Sequence, residues 1–300
     1  MALAALLSAT DPATAESLGD VLRDHGIKAG QGMSPGTRIT SYSVLDDARQ
    51  FVIAYYEQQG GSALAAPLYI SRLDRASRRW AHAALDERSI RAAGPGCLGS
   101  VLSIQPAGTA LLVETHINPS ASCTLVLGGN LRIEDVIFGW PLAVFAPGLV
   151  VYEHSQPHFF AVHPLELSLY DPRTRTSVAL YPPAPPPPLR ADYVAKVRVA
   201  YTEAWCRAQN HPCEPERFDE RLDGQVAVDE KSRALAFRVA FDDRALPGIA
   251  AGAVYVYRRL GDGRPVQVRE LAPDDLKVRC GDAALARCLD PGALARLFGP

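Results

Sequence analysis

The chain has no excess of basic charge and no long apolar run. Its 31 Lys and Arg against 33 Asp and Glu leave a net charge of −2. Nucleic-acid and anionic membrane surfaces select for a basic footprint, so neither is an expected partner. No apolar stretch approaches the ~20 residues that a membrane-crossing helix requires. Metal-type cysteine spacing is missing too: Cys97, Cys123, Cys206, Cys213, Cys280 and Cys288 form no C-x2-C or C-x4-C pair. A structural zinc knuckle is therefore not expected. Helical H-E-x-x-H and the Trp-Asp and kelch repeat signatures are also absent.

What is present is ordinary globular composition, 48% hydrophobic and 21% charged over 300 residues. That length suits one large all-β domain or two ordinary domains. The cysteines fall into sequence-local pairs, which predicts disulfides Cys97–Cys123, Cys206–Cys213 and Cys280–Cys288 and an oxidising compartment, against free buried thiols as the alternative. The last pair requires Cys280 to sit outside a helix beginning at Gly281 and Asp282. MALAALLSATDPATA carries an Ala-Thr-Ala that resembles a signal-peptidase site, without a basic leading region and with a short apolar core. Residues 1–30 thus read as a truncated export signal plus helix, or as the lead-in to that helix. The expected location, resting mainly on the cysteines, is periplasmic or secreted.

AESLGDVLRDH (15–25) reads as an amphipathic helix with Leu18, Val21 and Leu22 on one face and Gly26 as its stop. Beyond it come short β runs broken by Gly, Pro, Asp and Asn. PLYISRLDRASR (67–78) overlays PLELSLYDPRTR (164–175) without gaps, pairing Ser71 with Ser168, Asp74 with Asp171 and Arg78 with Arg175. The same register carried back pairs Tyr55 with Tyr152. Each copy is a strand, an Asp-led turn and a strand. LLVETHINP (111–119) likewise overlays LVVYEHSQP (149–157), pairing His116 with His154.

These overlays predict four-strand units at about 39–85, 98–138, 140–181 and 225–271, the spacing of a β-propeller. The expected fold is all-β and β-propeller-like, with about four four-stranded blades, a fifth or an open arrangement remaining an alternative. The propeller-like domain spans 31–272, with a helical insertion at about 182–222 and a helical tail at 273–300. Within the insertion, YPPAPPPPLR reads as a polyproline II connector into a helix over ADYVAKVRVAYTEAWCRAQ. CLGSVL, THINPSASC and HPLELSLYDP resemble an uncharacterised family of exported bacterial proteins, a resemblance that implies compartment and fold and no activity.

Three of the seven histidines lie in VYEHSQPHFFAVHP (151–164). In blade terms this is a second-to-third-strand loop, the end where propellers usually bind, and THINPSASC is its sister. His116, Tyr152, Glu153, His154, His158 and, by a gapped alignment, Asp242 are the candidate ligand-binding residues. No cofactor is expected. A divalent metal held by Glu153, His154 and His158 is the alternative, since imidazole and carboxylate suit transition metals. Against it, Pro157 interrupts the strand and leaves the directions of His154 and His158 undefined. GMSPG (32–36) matches the nucleophile-elbow string, but Pro35 has no N–H for an oxyanion hole and no strand precedes it. Asp46-Asp47, Asp242-Asp243 and Asp274-Asp275 read as turn and cap acids rather than calcium ligands. The expected function is an extracytoplasmic binding module, monomeric, with a protein or small-molecule ligand. The alternative is a metal-assisted hydrolase on the histidine face.

Overall fold

A computed structural model describes residues 16–58, 67–93, 97, 99–118, 121–155, 165–199, 220–222, 226–229, 233–241, 252–260 and 267–271. The chain divides into two compact units, Met1–Trp140 and Pro141–Pro300.

The first unit holds β1 (Glu16–Ser17), α1 (Leu18–Asp24), β2 (Arg38–Asp46), β3 (Gln50–Glu57), β4 (Leu68–Asp74), β5 (Arg79–Leu85), α2 (Glu87–Ala93), β6 (Ser100–Ala107), β7 (Ala110–Asn118), β8 (Ala121–Leu127) and β9 (Ile133–Ile137). β10 (Gly139–Phe145) leads into the second unit. There follow β11 (Leu149–His154), β12 (Leu167–Asp171), β13 (Thr176–Tyr181), α3 (Pro188–Val199), β14 (Glu220–Leu222), β15 (Ala227–Asp229), β16 (Ala234–Phe241), β17 (Gly252–Arg259) and β18 (Gln267–Leu271).

Among the described residues the strands form four antiparallel sheets: β1 to β5 in chain order, β6 to β9, β10 to β13, and β14-β16-β17-β18 with β15 also on β16. The fold is all-β and propeller-like: the first three sheets are up-and-down meanders, and in the fourth β14 and β15 share one edge of β16. The repeat-derived units coincide closely with these sheets. Two sheets exceed the expected four strands, because β1 adds to the first and β14 to the fourth.

Local chemistry explains the punctuation. Ser17 caps α1, its Oγ accepting from the Asp20 amide at 3.1 Å, and Gly26 takes the left-handed φ of 66° that ends it. Glu16 and Ser17, expected as helical, are drawn into β1, which pairs with β2 at Glu16–Ile39 and Ser17–Arg38. In the repeated hairpin turns, Asp74 Oδ1 accepts from the Ser77 amide at 2.6 Å and Asp171 Oδ1 from the Arg173 amide at 2.9 Å. Arg78 and Arg175, partners in the overlay, both take left-handed φ values, 55° and 56°. α2 escapes the sequence reading. Asp86 starts it by accepting from the Ser89 amide at 2.7 Å, and Ile90 is its one buried residue.

In the first unit one face of the first sheet packs against α1, through Phe51, Ile53 and Tyr55 on Leu18, Val21 and Leu22. Its other face meets the second sheet through Val52, Ala54, Leu68 and Ile70 against Leu111, Val113, Leu125 and Leu127. The Cys97–Cys123 disulfide lies inside that core, with a Cα–Cα distance of 5.3 Å. In the second unit the third and fourth sheets share a core of Val151, Leu167, Leu169, Leu235, Phe237, Val239 and Val256, with Tyr193 of α3 added.

Pro188 occupies the first helical position of α3, where a missing N–H costs nothing. The helix therefore begins before the expected Ala191. The Cys206–Cys213 and Cys280–Cys288 pairs and the expected helical tail lie outside the described residues.

Candidate functional site

β11 carries three of the sequence candidates, and strand alternation divides them. Tyr152 and His154 share one face, their ring centroids 4.6 Å apart. Tyr152 OH lies 3.3 Å from Ser177 Oγ, and His154 Nε2 lies 2.8 Å from Ser168 Oγ. The His154 amide donates to the Glu166 carbonyl at 2.9 Å. Burial lowers the His154 pKa, with the Glu166 charge opposing, so the imidazole favours its neutral form.

A serine bonded to a neutral imidazole has the outline of a nucleophile and its base. Two observations make it a tie within the sheet instead. Ser168 is buried, only 5% exposed, so its hydroxyl lies within the sheet. The bond also recurs in the first sheet. Ser71, the overlay partner of Ser168, is 3% exposed and sits 2.9 Å from His82 Nδ1 while also hydrogen-bonding Tyr55.

The strand registers correct one expected equivalence. Ser71 stands opposite Ile53, whereas Ser168 stands opposite Tyr152. The structural counterpart of Tyr55 is therefore His154, two residues beyond the Tyr152 that the ungapped overlay assigns. The connections out of β3 and β11 differ in length, and the overlay had carried its register across that difference.

Glu153 projects from the opposite face. It stands opposite Leu167, which stands opposite Tyr181, so its row belongs to the core shared with the fourth sheet. Burial pushes its carboxyl up to about 7. An ion bound to the His154 imidazole would have the sheet between itself and the Glu153 carboxylate. The metal set drawn from this strand is therefore not brought together. Among the described residues no group of three His, Cys, Asp or Glu could hold a metal ion. His158 and Asp242 lie outside the described residues.

His116 occupies β7 in the first unit, opposite Ser100 on β6 and Ser122 on β8. Glu114, two residues earlier on the same face, is the neighbour that sequence reasoning missed. Its Oε2 accepts from Ser103 Oγ at 2.9 Å. Burial raises its pKa, while Ser103, Ser122 and the His116 charge pull it back. The signal was available in V-E-T-H, where alternation puts the Glu and His side chains on one face.

A second group missed from sequence is the buried set Arg190, Glu220 and Tyr181. Arg190 Nε lies 2.7 Å from Glu220 Oε1, and the side chains are 7% and 0% exposed. Nothing local announces the pair, because its members are distant in sequence and neither sits in a motif.

Of the remaining candidates Asp243, Asp274 and Asp275 lie outside the described residues, and the others have structural employment. Asp46 binds His25 Nδ1 at 3.0 Å and also pairs with Arg75. Asp47 Oδ1 accepts from the Arg49 and Gln50 amides at 2.7 and 2.9 Å, closing the β2–β3 turn. In GMSPG the Pro35 carbonyl accepts from the Gly19 amide at 2.8 Å, so the loop serves as a brace for α1.

No family model matches the chain, and no curated protein matches it. The chain is similar to the crystal structure of HIRA(644-1017), at 8% identity over 76% of this chain and 54% of that one, with a TM-score of 0.34. It thus spans about half of that chain's length. It is also similar to a thermostable family-43 glycoside hydrolase, at 9% identity over 79% of this chain and 76% of that one, with a TM-score of 0.30. At these values neither likeness carries an activity, a substrate or a partner to this chain. The description of the fold rests on the chain's own topology.

Proposed function

We propose that the protein is an exported binding module of propeller type that uses the ends of its second strands and the loops beyond them, and that it is not a metal-assisted hydrolase. One observation carries this reading: His154 is bonded to the buried Ser168 hydroxyl while Glu153 leaves the strand on the other face. The His154 and Ser168 side chains are thus engaged in holding the sheet, which leaves recognition to the connections. The near-neutral charge balance favours a protein or small-molecule ligand over nucleic acid. The buried Cys97–Cys123 disulfide supports folding in an oxidising compartment, periplasmic or extracellular.

The test is the metal content of the purified protein beside that of His154→Ala. The expected result is no stoichiometric transition metal in either. About one equivalent in the wild type, lost in the variant, would overturn this reading by placing a metal at His154.

A further inference from the structure

Glu220, at the start of β14, accepts hydrogen bonds from three other segments of the second unit. Its Oε2 takes the Leu165 amide and Arg190 Nη2, each at 3.0 Å. Its Oε1 takes Arg190 Nε at 2.7 Å and the Tyr181 hydroxyl. Arg190 Nε also lies 2.9 Å from the Tyr181 oxygen, and its guanidinium carbon is 5.0 Å from the Tyr181 ring centroid. Burial works against the Arg190 charge, but the Glu220 carboxylate and Tyr181 outweigh it and hold the group above its ordinary pKa.

The segments so joined differ in kind. Arg190 belongs to the first turn of α3, in the connector between the third and fourth sheets. Tyr181 is the last residue of β13. Leu165 is where the connection leaving β11 returns, two residues ahead of β12. Glu220 itself stands opposite Phe241, the last residue of β16, so the cluster sits at the second-to-third-strand end of both sheets.

A buried ion pair persists only when each charge is matched and its remaining hydrogen-bonding capacity is filled. Here Leu165 and Tyr181 fill what Arg190 leaves of the carboxylate. If the guanidinium departs, the carboxylate becomes an uncompensated buried charge that either takes a proton or turns to water. Turning to water strips the Leu165 amide of its acceptor, although Arg190 never touches it.

We propose that Glu220 is a coupling residue, which makes release of α3 and release of the chain at Leu165 a single event. The inference goes beyond the binding reading and holds whether or not a ligand is ever found. It is a conformational device: the exit of one blade's loop is tied to the helix of the next connector.

Amide hydrogen exchange on the full chain tests it, with Arg190→Met as the variant. The expected result is at least tenfold faster exchange at α3 and at the Leu165 amide together, with the amides of Phe237 and Val256 unchanged. Faster exchange at α3 with Leu165 as protected as in the wild type would overturn the proposal. Should Arg190→Met fail to fold, Tyr181→Phe keeps the ring and removes only the hydroxyl. A paired acceleration of severalfold supports the coupling there, and acceleration of one segment alone, or of neither, refutes it.

Discussion

β7 carries V-E-T-H at 113–116 and β11 ends V-Y-E-H, so the overlaid position carries a histidine in both while the acid slips by one residue. In a strand that slip changes the face. Glu114 lies beside His116, and the Ser103 and Ser122 hydroxyls offset part of its burial. Glu153 faces the core instead, and burial is the cause that raises its pKa. On that core face β7 places Thr115, fully buried, whose Oγ1 is 3.2 Å from the carbonyls of both Cys97 and Cys123. The second strand of one blade sets a hydroxyl against the backbone carbonyls of the bridged cysteines. That of the other is finished by a carboxylic acid beside the row that leads to Tyr181 and the buried ion pair.

The largest expected effect comes from removing the covalent side of this contrast. The bridge closes a sequence separation of 26, for which chain entropy gives about 3–4 kcal/mol. Cys97→Ser with Cys123→Ser should lower the unfolding free energy by about that amount in denaturant melts without reductant. An unchanged midpoint would remove the disulfide from the account of the first unit.

Next is the acid on the core face. Below its ordinary value of 4.5, Glu153 is protonated both folded and unfolded and has no effect. As pH rises from 4.5, the unfolded chain loses that proton while the folded chain holds it up to about 7, so stability falls and then levels off. Glu153→Gln should therefore match the wild type near pH 4 and exceed it by about 3 kcal/mol above pH 7. Glu114→Gln should show a smaller gain or a loss, because it gives up an acceptor for Ser103 and Ser122. Equal gains in the two variants would erase the distinction between the faces.

Much of this was legible in the residues. The repeated Pro-Leu strand, Asp turn and left-handed Arg set the blade boundaries, because turn chemistry recurs even where side chains change. Two- and three-residue strands such as β1 and β14 carry no periodicity, and they join their sheets only through the tertiary partner. The face of Glu153 was in principle readable by alternation, but reading 151–164 as one loop concealed that its first four residues continue a strand. Arg190 and Glu220 were not readable at all. A lone Arg in a helix and a lone Glu opening a short strand look like solvated charges until the fold buries both.

The most direct test of the central claim is the ring-nitrogen spectrum of His154 with one equivalent of zinc added. The account predicts a ring that titrates below its ordinary 6.5, keeps its bond to Ser168 and does not shift with zinc. A zinc-induced shift of the His154 nitrogens, abolished in Glu153→Gln, would contradict it.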